Sequence, residues 1–264
     1  MSSVLASEET PPRTAAPTGR PLSFARLVHV EIRKSVDTVA GRWVLGLILV
    51  VTALALLIVF FAAPEAEIDF TLFLGTSVVP QALLLPILGI LAATAEWSRR
   101  TGLVTFTLEP RRIRVAAAKL LAVLVLGLVV MAAGVVMAAL ATLLSSMTTG
   151  MSSLWDIDWL VVRGGALGQL LVLVQGVGFG MIFGSTPLAI ATYYLLPQLY
   201  SLLSLWEPAQ KLAEWTDINS ASAPLTSGDT LTGEQWAQFG TATALWILLP
   251  ILLGTWILTR RDVK

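Results

Sequence analysis

The chain of 264 residues contains no cysteine, a single histidine and few charged residues, which make up 13% of the sequence. The absence of cysteine excludes disulfides, thiol catalysis and thiolate metal sites, and one histidine alone cannot form a zinc site. Charged residues usually make up about 25% of a soluble domain, so this chain lacks the polar surface that a soluble protein of 28.2 kDa requires. Together with a mean hydropathy of +0.80, this composition predicts a membrane protein.

The chain also lacks the residues that would power transport or catalysis on their own. A P-loop requires Gly-Lys before Ser or Thr, and no Gly-Lys dipeptide occurs. Ion-coupled transporters and intramembrane proteases place acidic or His residues inside their spans, but the uncharged stretches here contain none. Lys plus Arg balance Asp plus Glu at 17 each, so the charge gives no support for nucleic-acid binding. The chain is therefore predicted to be neither an enzyme nor self-powered.

Charged residues delimit uncharged stretches long enough to cross a membrane. A helix needs roughly 20 residues to span a hydrocarbon core of about 30 Å, and a charge at the bilayer centre is costly. Four stretches hold one span each, and a longer one holds two, separated by the turn signal Gly184-Ser185-Thr186-Pro187. The sequence therefore predicts an all-α polytopic membrane protein with six transmembrane helices, at about 43–63, 72–95, 117–144, 163–184, 187–206 and 239–259.

Lys and Arg are concentrated on one side of these predicted spans. All except Arg163 and Lys211 precede span one, join spans two and three, or end the chain, whereas the opposite side carries most of the acidic residues. Because short loops rich in Lys and Arg stay in the cytoplasm, both termini are predicted to be cytoplasmic.

Two segments precede the first span. Residues 1–23 are rich in Pro, Ser and Thr and lack the apolar region of a signal peptide, which predicts a disordered cytoplasmic tail. Residues 24–264 are predicted to form the six-span domain. From Phe24 to Ala40 the apolar residues share one helical face, which predicts an amphipathic helix in the membrane interface that turns into span one at Gly41. An ordinary juxtamembrane helix end is the alternative.

The loop between spans two and three combines apolar and cationic residues. Leu103, Val104, Phe106 and Leu108 are enough to seat a short helix on a partner, and Pro110 stops that helix. The alternative is that the loop is basic only because it stays in the cytoplasm.

This loop carries a resemblance to a known family. The residues concerned are Thr94-Ala95-Glu96-Trp97, Thr101, Thr105-Phe106, Pro110-Arg111-Arg112 and Lys119. They resemble the signature that follows the second span of type-2 ATP-binding-cassette (ABC) exporter permeases, particularly actinobacterial ones. The resemblance extends from about residue 24 to the end of the chain and includes the entry helix, the six spans and the long segment before span six.

The resemblance implies a permease of the bacterial cytoplasmic membrane that pairs with a second permease copy or paralogue. Two cytoplasmic ABC ATPase subunits would hold the ATP and Mg²⁺, with no cofactor in this chain. The implied contacts with the ATPase partner are Glu96, Trp97, Arg99, Arg100, Thr101, Pro110, Arg111 and Arg112. Two departures from the family pattern occur: Arg100 stands where Gly is common, and the turn from Gly184 to Pro187 lacks the Arg that many relatives carry.

Glu96 lies at helical spacing from Arg99 and Arg100, so we expect it to pair with one of them. Such a pair would fix the angle at which the loop leaves span two. Span two would then move as a lever when the partner closes.

Uncharged polar side chains lie within the spans. Interhelical hydrogen bonds explain many such residues, but these side chains could also line a weakly polar path for an amphipathic compound. The candidate path residues are Gln81, Gln175, Tyr193, Tyr194 and Gln198. Span four is rich in glycine at small-xxx-small spacing, which predicts close helix packing rather than a hinge.

The expected function follows from the resemblance and from these absences. We expect the membrane subunit of an ABC-type exporter that moves a hydrophobic or amphipathic compound, such as a drug, a lipid-like molecule or a peptide antibiotic, and so contributes to multidrug or antibiotic resistance. The segment 207–238 would be either an outer gate or a plain surface loop. A non-transporting membrane anchor or sensor subunit is the alternative function.

Overall fold

A computed structural model describes residues 23–64, 67–99, 101–149, 153–155, 157–227 and 230–261. Within these ranges the chain is helical without a β-strand, which confirms the all-α prediction. The predicted disordered tail, apart from Ser23, and the predicted contact residue Arg100 lie outside the described residues.

The helices follow one another with short connections. They are α1 (Phe24–Asp37), α2 (Val39–Ala62), α3 (Phe70–Ser98), α4 (Gly102–Leu108), α5 (Arg112–Thr149), α6 (Trp159–Phe183), α7 (Thr186–Ser201), α8 (Gln210–Thr216), α9 (Ile218–Ser227), α10 (Gly233–Thr243) and α11 (Leu249–Arg260). Short 3₁₀ segments cover Ser153–Trp155, Leu202–Leu205 and Glu207–Ala209, and the π-helical turn Ala244–Leu248 joins α10 to α11.

Six helical stretches in the described ranges are long and apolar enough to cross a membrane, which confirms the six predicted spans. They are Val39–Ala62, Phe70–Ser98, Arg112–Thr148, Trp159–Phe183, Thr186–Leu205 and Gly233–Arg260. Several begin earlier or end later than predicted, because a charged residue near a helix end can continue the helix while its side chain reaches polar surroundings. The third span, for example, begins at Arg112 rather than near residue 117.

The amphipathic helix α1 is present as predicted, but its junction with α2 is not at Gly41. The break falls at Thr38, whose Oγ1 accepts a hydrogen bond from the Gly41 backbone N–H (2.9 Å) and so caps α2. Gly41 itself is buried within α2, and its missing side chain lets the carbonyl of Ser35 approach. The glycine thus permits the tight fold-back of α1, and the threonine produces the turn.

The centre of the bundle is the crossing of α3 and α6, the two most buried spans. A side chain added at Gly89 would place its Cβ 2.7 Å from the carbonyl oxygen of Leu173, and one added at Gly176 would lie 2.9 Å from the Cα of Pro86. Glycines on both helices therefore let the two backbones touch, as the small-xxx-small spacing of span four predicts.

The segment between α7 and α10 folds into the helices α8 and α9 rather than into an irregular loop. Asp217 joins these helices and is buried; its carboxylate accepts hydrogen bonds from Ser201 Oγ (2.9 Å) and Ser220 Oγ (2.8 Å). Helix α9 packs against α6, where Gly164 lets the carbonyl of Leu225 approach. We call this end of the bundle, with α8 and α9, the acidic end. The opposite end, with α1, α4 and the first turns of α5, is the basic end.

Candidate functional site

Four charged side chains from three helices meet at the basic end of the bundle. Lys119 Nζ on α5 donates to Glu31 Oε2 on α1 (2.6 Å) and to Glu96 Oε1 on α3 (2.7 Å). Lys34 Nζ on α1 lies 2.6 Å from Glu31 Oε1 and 3.4 Å from Glu96 Oε1. We refer to these four residues as the ion cluster.

The ion cluster is buried and its charges balance. Glu31, Glu96 and Lys119 are each less than 5% exposed, and Lys34 reaches the surface. A buried charge is tolerated only when a partner compensates its lost hydration, so Lys119 holds two carboxylates in place and they hold it. The cluster thereby fastens the amphipathic helix α1 to α3 and α5.

Glu96 bonds two lysines that are distant in sequence, and Arg99, one of its two predicted partners, is exposed. The other predicted partner, Arg100, lies outside the described residues, so that part of the prediction stays a prediction. The same two lysines also influence the pKa of Glu31, which lies outside the membrane spans. Burial raises the pKa of its carboxyl, but the charges of Lys119 and Lys34 outweigh burial and bring that pKa below its ordinary value.

The predicted partner contacts divide into two groups. Arg99, Thr101, Pro110 and Arg111 are exposed at the basic end and free to meet another protein. Glu96, Trp97 and Arg112 instead make contacts within the chain.

Arg112 and Trp97 connect the loop to the end of the last span. Arg112 donates hydrogen bonds to the carbonyls of Leu258 (2.8 Å) and Arg261 (2.6 Å), which satisfies carbonyls that the end of α11 leaves free. Its guanidinium also lies over the ring of Phe106. Arg261 stacks its guanidinium 4.4 Å from the ring centroid of Trp97. Through these contacts, Arg112 and Trp97 hold α3, α4, α5 and α11 together.

Helix α4 presents apolar side chains at the surface of the basic end. Leu103, Val104 and Leu108 are 56%, 59% and 68% exposed, whereas Phe106 packs against the core. One face of α4 thus anchors the helix to the bundle, and the other leaves apolar surface beside exposed arginines.

A cavity of about 680 Å³ lies in the half of the bundle nearer the acidic end, between α3, α5, α6 and α7 and beneath α9. Its volume is within the range of roughly 300–1,000 Å³ typical of small-molecule sites. All five predicted path residues line it: Gln81, Gln175, Tyr193, Tyr194 and Gln198. Residues that are distant in the sequence, on α3 and on α7, are therefore brought to one site.

The polar groups of the cavity differ in how well they are satisfied. Gln169 Nε2 donates to Gln81 Oε1 (3.0 Å), and the hydroxyl of Tyr194 donates to the carbonyl of Leu83. Gln175 Nε2 is buried and has no hydrogen-bond partner among the described residues. The remaining lining is mostly apolar, and none of the described lining residues is charged.

Sequence reasoning missed several members of both sites. The ion cluster depends on Glu31, Lys34 and Lys119, and the cavity also uses Gln169 and Asn219. Glu31 lies on the less polar side of α1. A carboxylate on that face was the signal in the sequence that could have identified it as a buried site residue. No comparable signal marks Asn219, which reaches the cavity only because α9 folds back over it.

One helix joins the two sites. Glu96 and Gln81 both lie on α3, fifteen residues apart, which corresponds to about 22 Å along the helix axis. The two sites therefore share one helix, in which Pro86 lies between Gln81 and Glu96.

Comparison of the chain with models of protein families, with curated proteins and with solved structures gave no significant match.

Proposed function

We propose that the chain is the membrane subunit of an ABC-type exporter, which moves a hydrophobic or amphipathic compound across the bacterial cytoplasmic membrane. A separate ATPase subunit binds ATP and Mg²⁺ and supplies the energy. The basic end faces the cytoplasm, as the excess of Lys and Arg there favours, and so do both termini. Two membrane subunits, either identical or paralogous, assemble with the ATPases.

The observation that carries this proposal is the continuity of α3. At the basic end α3 bears Glu96 in the ion cluster, and towards the acidic end it bears Gln81 in the cavity wall. A partner that displaces α1 and α4 is expected to shift the basic end of α3 with them, because breaking a buried ion cluster costs more than moving it. Pro86 lies between Glu96 and Gln81 on α3, so the shift reaches the cavity through a helix that contains an interior proline. The cavity then changes shape in response to an event outside the membrane.

Helix α4 is the proposed seat of the ATPase. Its exposed leucines and valine lie between the end of the second span and the start of the third. The exposed Arg99 and Arg111 flank this surface, and arginine together with apolar anchors is typical of protein interfaces.

The cavity favours a transporter over a membrane anchor or sensor subunit. An anchor needs no uncharged cavity of about 680 Å³ beneath a helical cover, whereas alternating access requires a site that can hold the transported compound. The two functions remain separable by experiment, since only the transporter couples ATP hydrolysis to movement of a substrate.

Substitution of Leu103 by Glu is expected to abolish ATPase binding without unfolding the chain. The side chain is exposed, so stability changes little, but a carboxylate in an apolar contact is costly. We expect at least a 10-fold loss of the P-loop ATPase that co-purifies with the chain, measured by quantitative affinity purification from the native membrane. Leu212→Glu is the matched control, because Leu212 is an exposed leucine on a helix of the same length at the acidic end. Retention of the ATPase by Leu103→Glu would contradict the proposal.

Substitution of Glu96 by Gln is expected to uncouple ATP hydrolysis from transport. The amide keeps the size of the side chain but removes the charge that binds Lys119 to α3. In proteoliposomes that contain the complete transporter, we expect ATP hydrolysis to persist while its stimulation by substrate and the transport rate fall several-fold. Asp37→Asn serves as control, since its pair with Arg33 is exposed and contributes little. A transport rate equal to that of the wild type in Glu96→Gln would rule out the role of α3 as a lever.

A further inference from the structure

Gln175 is the least satisfied polar side chain of the cavity. The residue is 4% exposed, and its Nε2 has no partner among the described residues, whereas Gln169 Nε2 donates to Gln81 Oε1 in the same wall. Leaving a buried amide donor unpaired costs free energy, and such groups in folded proteins usually have a partner. An unpaired donor in the wall of a ligand-sized cavity indicates that the partner is a ligand group, namely a hydrogen-bond acceptor.

The cavity extends along α6. Its wall on α6 runs from Val161 to Gln175, which is about 21 Å along a helix axis. Gln175 lies at the end nearest the bundle centre, and Asn219 and Ser222 on α9 lie at the opposite end. Between these ends, α6 lines the cavity with Val162, Gly165, Ala166, Gln169 and Val172, and Gln169 is bonded to Gln81 in the same wall. A ligand that fills this space has an elongated body that is mostly apolar.

The open side of the cavity has both apolar and polar exposed residues. Val79, Leu83 and Val135 line the cavity and are exposed, at 69%, 58% and 44%. Gln198 and Asn219 also line it and are exposed, so the open side offers apolar surface next to uncharged polar groups. No charged group among the described lining residues offers a counter-ion, and an unpaired charge in such a site is strongly disfavoured.

We infer that the cavity selects uncharged amphipathic molecules in which an apolar chain ends in a hydrogen-bond acceptor such as an amide carbonyl, and that Gln175 Nε2 donates to this acceptor. The inference rests on the proposed function, because it names the class of compound that the exporter carries. Cationic and anionic amphiphiles with the same chain are excluded from the site.

Three probes with the same chain separate these classes: N,N-dimethyldodecanamide, dodecyltrimethylammonium and dodecanoate. The purified full chain in lipid nanodiscs is titrated with tritiated N,N-dimethyldodecanamide in a scintillation proximity assay, and the two ionic probes are added as competitors. We expect saturable binding of the amide and competition by either ion at least 10-fold weaker than by unlabelled amide. Equal competition by the ions, or no saturable binding of the amide, would overturn the inference.

Gln175→Leu provides the decisive variant. Loss of one hydrogen bond is expected to weaken amide binding about 10-fold, while the thermal unfolding temperature rises or stays the same, because an unpaired buried donor has been removed. A Gln that is purely structural would show the reverse, with lower stability and unchanged affinity. That result would contradict the inference even if the amide bound to the wild type.

A second pair of variants tests the location of the site. A Cβ added at Gly75, in the cavity wall, or at Gly46, on α2 and away from the cavity, meets no atom within 4 Å. Gly75→Phe is expected to lower amide binding at least 10-fold, and Gly46→Phe to leave it unchanged; equal affinities in the two variants would place the site elsewhere and overturn the inference. Because none of these assays requires an ATPase, amide binding without ATP-driven transport would overturn the proposed function and leave this inference standing.

Discussion

Replacement of Lys119 by Met is expected to lower the free energy of unfolding by about 3–5 kcal/mol, the range observed when one partner of a buried ion pair is removed. Lys119 is 3% exposed and bonds carboxylates from both α1 and α3. Without it, Glu31 and Glu96 face each other as buried like charges, with only the partly exposed Lys34 to compensate them. Chemical denaturation of the purified chain in detergent micelles, followed by circular dichroism, measures this loss.

A triple variant distinguishes the loss of charge balance from the loss of packing. Adding Glu31→Gln and Glu96→Gln to Lys119→Met removes the uncompensated charges, so most of the lost stability is expected to return. This follows because a buried ionic group can be replaced as a whole at little cost, whereas removal of one member is expensive. Lys211→Met is the control, since Lys211 is exposed at the acidic end. A single variant Lys119→Met within about 0.5 kcal/mol of the wild type, the usual effect of a surface substitution, would show that the cluster contributes nothing to stability.

The spans could be predicted from the sequence because each depends only on a local property, namely an uncharged stretch of sufficient length. The ion cluster could not, because its members are 88 residues apart for Glu31 and Lys119 and 62 residues apart for Lys34 and Glu96. Helical spacing favoured Arg99 or Arg100 as the partner of Glu96, but Arg99 is exposed, and Arg100 lies outside the described residues. The fold-back of α1, permitted at Gly41, brings Glu31 and Lys34 to the cluster, and the packing of α5 against α3 brings Lys119 to Glu96.

The cavity was predictable in part for a similar reason. Polar side chains inside apolar spans stand out locally, so Gln81, Gln175 and the two tyrosines could be named from the sequence alone. Their convergence on one space depends on the crossing of α3 and α6 and on the cover that α9 provides. The sequence of α9, with Ser, Ala and Pro224, carries a weak helical signal, since Pro is unfavourable in a helix interior. Its position over the cavity is determined by tertiary contacts such as that at Gly164.

The contrast between the two ends of α3 also explains why the sites have different chemistry. At the basic end, charges are compensated in a tight cluster, which resists deformation. Towards the acidic end, the same helix faces an apolar space with an unpaired amide, which tolerates a guest and a change of shape. Both halves of α3 are well packed, with Phe73 and Gln81 buried towards the acidic end and Glu96 buried at the basic end, so its central contact with α6 bears on both sites.

At this central contact, Gly176→Ala is expected to destabilise the chain by about 1–3 kcal/mol, the usual cost of overpacking a well-packed interior. The added methyl group would lie 2.9 Å from the Cα of Pro86, a backbone atom that cannot move without shifting α3. The helix propensity of Ala offsets at most about 1 kcal/mol of this cost. Thermal unfolding in lipid nanodiscs measures the change.

Gly168→Ala on the same helix is the matched control, because a Cβ there meets no atom within 4 Å. We expect this variant to be as stable as the wild type or more stable, by up to about 1 kcal/mol, since Ala favours a helix over Gly. If Gly168→Ala and Gly176→Ala change stability equally, the effect comes from helix propensity alone, and the close contact of α3 with α6 is not what holds the bundle together. If only Gly176→Ala is destabilised, the added methyl group separates the helix that carries Glu96 from the one that carries Gln175, so substrate binding and partner-driven movement are expected to weaken together.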